Sequence, residues 1–347
     1  MGPLIARYDH LLLLIDDTGI LEHSKYGIPR RDHGYTVDDA ARALIVLCDA
    51  QPRPHLESAI PVLLGFVMHA LEPNGRFHNR LGYDRRWRDV YGSDDTQGRA
   101  IWALGVARTS APRPEWRAAA RSALESARIP KSPHLRPHAY AALGAHALWR
   151  VHPEDEKVTA ILESAAARFE EALQPWPEPR LSYANGRLPD AMLAMGEMLD
   201  RQDLIDRGLE ALAWLDETET RDGHYSFTAV GGWEPGEPRP GFDQQPIEAA
   251  AIAGAAQRAW NLTADRRWHD AVLRADSWLS GDNDIGVALY DPATGACRDG
   301  LTSTGANENR GAESTIAGLA VLQACHRVAT LSPVGAEGPT RERAGHE

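Results

Sequence analysis

Two stretches of this 347-residue chain place adjacent carboxylates just ahead of an arginine and an apolar run. In GYTVDDAARAL, Asp38 and Asp39 precede Arg42; in YGSDDTQGRAIWALG, Asp94 and Asp95 precede Gln97 and Arg99. Helix capping and i,i+4 pairing account for one carboxylate per helix, yet each of these helices carries two. A hydrolytic or glycosyl-transfer site needs two carboxyl groups with different pKa values, one protonated for the leaving oxygen and one ionised. Adjacent acids at a partly buried helix end raise one another's pKa. The expected division is Asp94 or Asp95 as general acid and Asp38, Asp39 or Glu308 as base. Inversion is favoured, because carboxylates on different helices can stand far enough apart to hold a water. Successive helical residues point about 100° apart, so only one of Asp94 and Asp95 faces inward. The other should bond the backbone, Arg99 or a neighbouring loop. Asp95 is expected inward, since it, like Asp38, is followed by an arginine four residues on, although the same spacing could tie Asp95 down and free Asp94.

Further polar groups cluster ahead of other apolar runs. GANENRGAEST supplies Asn307, Glu308, Arg310 and Glu313; FDQQPIEAA supplies Gln244, Gln245 and Glu248. His138 and Asp190 stand at two more such points. The aromatic residues Tyr35, Trp87, Tyr91, Tyr183 and Trp233 lie among them. Flat rings beside acids, amides and arginines suit a sugar, whose C–H face packs on the ring while its hydroxyls bond the polar groups. Arg42, Gln97 and Arg99 complete the expected substrate contacts. No histidine pair has ligand spacing on one helix face, so no metal is expected. The absence of GxGxxG, P-loop, GxSxG and HExxH patterns weakens dinucleotide, NTPase, serine-esterase and zinc-protease readings, and no cofactor is expected.

The elements that must position these residues read as helices. Periodicity places them near 3–15, 37–50, 55–71, 94–109, 114–127, 137–150, 154–173, 188–200, 202–217, 245–261, 264–280 and 311–328. They alternate between runs that are small and apolar all round, such as AIWALGVA and STIAGLAVLQA, and amphipathic charged ones such as RQDLIDRGLEALAWL. The first kind belongs inside and the second on the surface. A hairpin repeated every 45 to 65 residues or so predicts an all-α (α/α)6 toroid over 1–331, rather than an open solenoid. The loops leading into the inner helices are long and rich in polar and aromatic residues, those leaving them short, so one end of the ring collects the chemistry. Short strand-like pieces at 76–79, 225–228 and 287–290 are expected to form small hairpins there, while HSKYGIPRRDHGYT reads as loop. The segment 332–347 reads as a disordered tail.

The motifs GYTVDDAARAL, GSDDTQGRAIWALG, FDQQPIEAAA and NENRGAEST resemble those of bacterial (α/α)6-toroid, glycoside-hydrolase-like domains, often found beside or labelled as glycosyltransferases. The resemblance spans about residues 8–328. It implies a site at the N-terminal ends of the inner helices with acids as catalysts, which fits Asp38, Asp39, Asp94, Asp95 and Glu308.

A formal charge of −12 argues against nucleic acid or anionic lipid as a partner. The LLLLI run at 11–15 is too short to span a bilayer, and flanking acids distinguish it from a signal peptide. A cytoplasmic protein is expected, with three separated, buried cysteines that form neither a disulfide framework nor a zinc site. The resulting expectation is a metal-independent glycosidase acting on an oligo- or polysaccharide. Its rivals are a terpene-cyclase-like toroid enzyme, suggested by SDDT, and a non-catalytic carbohydrate-binding or scaffold protein that keeps the aromatics. The sequence leaves oligomeric state open.

Overall fold

The computed structural model describes residues 4–330. The expected tail at 332–347 lies outside them. The helices are α1 (Asp9–Leu14), α2 (Val37–Cys48), α3 (Pro54–Glu57), α4 (Ile60–His69), α5 (Asp94–Ser110), α6 (Pro114–Ser126) and α7 (Leu135–Trp149). They continue with α8 (Glu156–Glu170), α9 (Arg187–Leu199), α10 (Gln202–Thr218), α11 (Pro246–Thr263), α12 (Arg266–Leu279) and α13 (Ala312–Thr330). Helices α2, α5, α7, α9, α11 and α13 form the inner ring, each touching the next, and α13 returns to α2. Helices α4, α6, α8, α10 and α12 back them, and α1 packs on α13, so the first and last helices meet. This is an (α/α)6 toroid.

Local sequence explains the two rings. Inner α5 buries every residue from Thr96 to Arg108 except Trp102, which is half-buried. Outer α10 buries a stripe of Leu204, Gly208, Ala211, Leu212 and Leu215 and turns its charged residues out. Each leucine so buried contributes about 1.5–3 kcal/mol before chain entropy is counted. Small residues let the inner helices approach closely: a Cβ on Gly144 of α7 would stand 2.7 Å from the Trp102 Cα of α5. The start of α2 is fixed by Thr36, whose hydroxyl accepts from the Asp39 N–H at 3.1 Å. Ser93 starts α5 in the same way, accepting from the Thr96 N–H at 3.2 Å.

The mouth is walled by a three-stranded antiparallel sheet of β1 (Leu21–Lys25), β2 (Ile28–Thr36) and β3 (Arg80–Leu81). Its pairing runs from Leu21 opposite Tyr35 to Lys25 opposite Ile28, and Thr36 faces Arg80. This corrects the reading of HSKYGIPRRDHGYT as loop. Tyr26 and Gly27 make the turn with φ of 53° and 80°, the left-handed pair a tight hairpin requires. Smaller pairs are β4 (Thr220–Arg221) with β5 (His224–Tyr225), and β6 (Leu301–Thr302) with β7 (Gly305–Ala306). Three further boundaries differ from expectation. The first helix begins at Asp9 because the Tyr290 hydroxyl accepts from Arg7 N and donates to Ile5 O, holding that backbone extended. The 55–71 stretch is two helices, α3 and α4. Of 76–79 and 287–290, only Phe77 and Tyr290 enter bridges, with Leu71 and Cys297. No helix among the described residues is long and apolar enough to cross a membrane, and Cys48, Cys297 and Cys325 are buried free thiols.

Candidate active site

Because all inner helices run the same way round the ring, their N-terminal turns meet at one end. There, arginines alternate with carboxylates. Arg42 holds Asp39 at 2.7 Å with one nitrogen and Glu313 of α13 at 2.8 Å with the other. Arg99 stands 3.1 Å from Asp38 of the neighbouring helix and 3.3 Å from Asp95 of its own. The Tyr183 hydroxyl, from the loop before α9, donates to Asp95 at 2.6 Å. Asn79 donates to Asp38 at 3.1 Å. The belt runs from α13 through α2 and α5 to the loop before α9. Asp94 makes no side-chain bond among the described residues and lies on the side of His138.

Within the bore, a cavity of about 70 Å³ is lined by Arg42, Arg99, Arg187, Glu313, Trp102 and Tyr140 among small apolar residues of α2, α11 and α13. Its polar floor is a stack. Arg187 lies over the Trp102 ring at 5.0 Å, Trp102 stacks on Tyr140 at 6.1 Å, and Arg99 lies over Tyr140 at 4.7 Å. Arg99 also donates to the Tyr140 hydroxyl at 3.2 Å. Below, Asp190 is clamped by Arg187 at 3.0 Å and by Arg258 at 2.6 Å.

Burial and charge separate the acids. Burial pushes the Asp39 carboxyl up to about 7; Arg42 opposes the shift, and Glu313 adds to it. One guanidinium thus lies between two carboxylates, and it is burial that keeps Asp39 raised in spite of it. For Asp38 burial acts in the same sense, but Arg99 and Arg42 outweigh it and hold the carboxyl below its usual range. Asp190 behaves likewise, with Arg258 and Arg187 outweighing burial. Burial, together with Asp95, raises the Tyr183 phenol, so that hydroxyl stays a donor.

Several sequence candidates spend their hydrogen bonds on the scaffold. Gln97 takes the Phe77 N–H and donates to Gly75 O and Arg128 O. Gln244, fully buried, takes the Phe227 N–H and donates to Gly241 O. Glu248 accepts from Ala184 N at 2.5 Å and from Asn185 N and Nδ2 at 3.0 Å each. It therefore fixes the turn that carries Tyr183. Gln245 is the residue preceding α11, without a side-chain cap bond. His138 bonds Ser132 O at 3.0 Å and burial holds its pKa down. Tyr35 is buried in the sheet, its hydroxyl donating to Asp16 at 2.7 Å. Trp87 stacks on His78 at 4.7 Å, and the Trp233 indole donates to Glu237 O at 2.9 Å. The Tyr91 hydroxyl accepts from Asn74 at 3.0 Å. On the last mouth loop Glu308 pairs with Arg298 at 3.2 Å, Asn307 accepts from Asn309 N, and Arg310 stands 3.7 Å from Asp291.

Sequence reasoning missed Arg187, Asn79, Glu22 and Arg80. Arg80 holds both oxygens of Glu22, at 3.0 and 3.1 Å, on the mouth wall. Glu22, His23 and His33 have potential ligand atoms within 4.8 Å of one another. Of the three, His23 has a hydrogen bond that does not suit a metal ligand. Asn309 Oδ1 accepts from Ser24 N at 2.9 Å and its Nδ2 donates to Asp299, which fixes the amide. That Nδ2 then faces His23 Nδ1 at 2.7 Å, so Nδ1 accepts and the ring proton sits on Nε2. A ligating histidine needs the reverse, with its second nitrogen donating to an acceptor.

No protein-family profile matches the chain, and no curated protein sequence does. Solved structures do match by fold. A sugar epimerase from a ruminal bacterium aligns with a TM-score of 0.70 at 11% identity, covering 92% of this chain and 95% of that one. A D-mannose isomerase aligns at 0.69 and 12%, covering 92% and 93%. A GH76 alpha-mannanase from Bacteroides thetaiotaomicron aligns at 0.64 and 11%, covering 91% and 93%. By architecture, the chain stands with these (α/α)6-toroid enzymes.

Proposed function

We propose that the protein is a sugar-processing enzyme that hydrolyses a glycosidic bond at the N-terminal mouth of its inner ring. The observation that carries this reading is the paired arrangement around two arginines: Asp39–Arg42–Glu313 and Asp38–Arg99–Asp95. The first unit contains a carboxyl, Asp39, raised to about 7, and the second contains a carboxylate, Asp38, held ionised. Glycoside hydrolysis asks for such a pair. Glu313 is the carboxylate that lines the cavity, so it is the one placed to reach the leaving oxygen, with the raised Asp39 carboxyl on the other side of Arg42. Asp38, which stands behind Arg99 rather than on the cavity wall, is the ionised carboxylate we place on the base side, with the Asp95–Tyr183 pair on the same arginine. This moves the acid role from the α5 pair to α13. The solved structures of like fold include enzymes named for epimerisation, isomerisation and hydrolysis of sugars; the two carboxyl groups shifted in opposite directions, Asp39 up and Asp38 down, favour hydrolysis among these.

The test is a screen of reducing oligosaccharides and aryl glycosides, followed by chromatography that separates released monosaccharide from epimerised or isomerised substrate. Release that disappears in Glu313→Gln and Asp38→Asn supports the reading. Conversion without release assigns the site to epimerisation or isomerisation instead.

A further inference from the structure

Resting on the sugar-processing reading, we infer that the substrate is an acidic saccharide whose anionic group, a carboxylate or a phosphate, sits on the guanidiniums of Arg42, Arg99 and Arg187. Two separate observations point there.

The first is the lining of the bore. Three guanidiniums and one carboxylate are the charged groups that face the 70 Å³ cavity. Their counter-ions Asp38, Asp39, Asp95 and Asp190 touch the same arginines but do not line that space. An approaching ligand therefore meets the cationic side of each pair. Donors remain for it. A guanidinium has five N–H groups, and Arg187 uses two nitrogens, on Asp190 and on the Ala250 carbonyl at 3.1 Å. The stack on Trp102 and Tyr140 holds two of the three planar groups in place, so little side-chain entropy is lost when an anion docks. A planar fork on a rigid support is the arrangement that recognises carboxylate and phosphate oxygens.

The second is the wall above it. In a chain of net charge −12, segments 21–36 and 76–91 carry eight Lys and Arg against four Asp and Glu. These segments hold β1, β2 and β3 and the loop after β3. Arg80 of β3 is close enough to feel Asp38 and Asp39, which ties the basic wall to the mouth. Lys25, Arg31 and Arg86 are exposed, and Arg31 lies over the exposed Tyr83 ring at 5.8 Å. A locally positive wall over a negative body draws an anionic ligand toward the bore and raises its on-rate at low salt.

The experiment is calorimetric titration of the full chain with D-glucuronate, D-glucose 6-phosphate and D-glucose, at low and at physiological salt. The expected result is binding of at least one anionic sugar, weakened by salt, with glucose at least about tenfold weaker. Glucuronate alone identifies a carboxylate ligand and the phosphate ester alone a phosphorylated one. Arg187→Gln should weaken anion binding about 10- to 100-fold. Arg187→Lys, which keeps the charge and the clamp on Asp190, should lose part of that, with thermal melts confirming that both variants are folded. Glucose binding as well as both anions, or an Arg187→Gln variant that is folded and binds the anions unchanged, overturns the inference. Turnover of neutral oligosaccharides under those results leaves the sugar-processing reading standing. Absence of both binding and turnover with every sugar removes the two together.

Discussion

Arg42 on the first inner helix reaches Glu313 on the last at 2.8 Å, so the ring closes through an ion pair placed at its mouth. The same guanidinium holds Asp39. Ring closure and the Asp39–Arg42–Glu313 unit are thus one feature. A site assembled across the seam depends on the whole toroid being formed, since its two halves lie 271 residues apart in sequence.

Glu313→Gln is expected to lower turnover by about 10²–10⁴-fold, the usual contribution of a positioned proton donor. The Glu313 side chain is 37% exposed, so the loss of its ion pair should cost no more than about 1 kcal/mol. Steady-state kinetics with a thermal melt on the same sample checks both. A variant that keeps wild-type turnover moves the acid role away from α13.

The pH dependence follows from Asp39. Its folded pKa lies near 7, above the ordinary 3.8, so between those values the folded state binds the proton that the unfolded state has released. Stability from this group is fully present below about pH 4 and is lost as pH rises through about 7. Asp39→Asn, which cannot ionise, should be flatter across pH 5–8 and more stable relative to wild type at the upper end, by a few kcal/mol on the order of magnitude of the shift. Denaturant midpoints at pH 5 and pH 8 measure this. Turnover should fall on the alkaline side through the same range as Asp39 loses its proton; a wild-type profile flat from pH 5 to 9 contradicts a role for Asp39 in the reaction.

Glu248→Gln tests a residue that acts through another. The carboxylate takes three N–H groups from Ala184 and Asn185, and the amide replaces one acceptor oxygen by a donor. A buried donor facing a donor costs about 1–3 kcal/mol. Because Tyr183 precedes that turn, turnover should fall along with the melting temperature. A merely structural role would lower stability but leave kcat of the folded fraction unchanged.

The inner helices could be read from the sequence because each carries its own signal: Thr36 and Ser93 as caps, then runs with no polar face. What could not be read is what pairing across the chain decides. The β1–β2 hairpin turns at Tyr26-Gly27, where no Asn-Gly or Asp-Gly marks it, and its strand residues alternate poorly because β2 is mostly exposed at its start. Gln97, Gln244 and Glu248 look like ligand groups in sequence, but their partners are backbone N–H and C=O groups of loops tens of residues away. Arg187 was passed over beside the more conspicuous Asp190, though it is the one that faces the cavity.

The adjacent acids of α5 give the sharpest contrast. Asp95 touches Arg99 at 3.3 Å and accepts from Tyr183 at 2.6 Å, whereas Asp94 makes neither kind of bond among the described residues. Asp95→Asn keeps an acceptor for Tyr183 but removes the charge facing Arg99, leaving Asp38 as that arginine's remaining carboxylate partner. Asp38 then has a larger share of the guanidinium and becomes a weaker base, so turnover should drop by at least about tenfold while the fold survives. Asp94→Asn retains a side chain that can begin a helix and loses only a favourable charge at the N-terminus of α5, about 0.3–1 kcal/mol, with turnover within about twofold of wild type. Neither acid lines the cavity, and Asp95 is the one tied to Arg99 and a neighbouring loop, which departs from the expectation that it projects inward. Kinetics and melts on the two variants side by side decide between them, and a larger activity loss in Asp94→Asn than in Asp95→Asn gives the role to the acid that is not tied down.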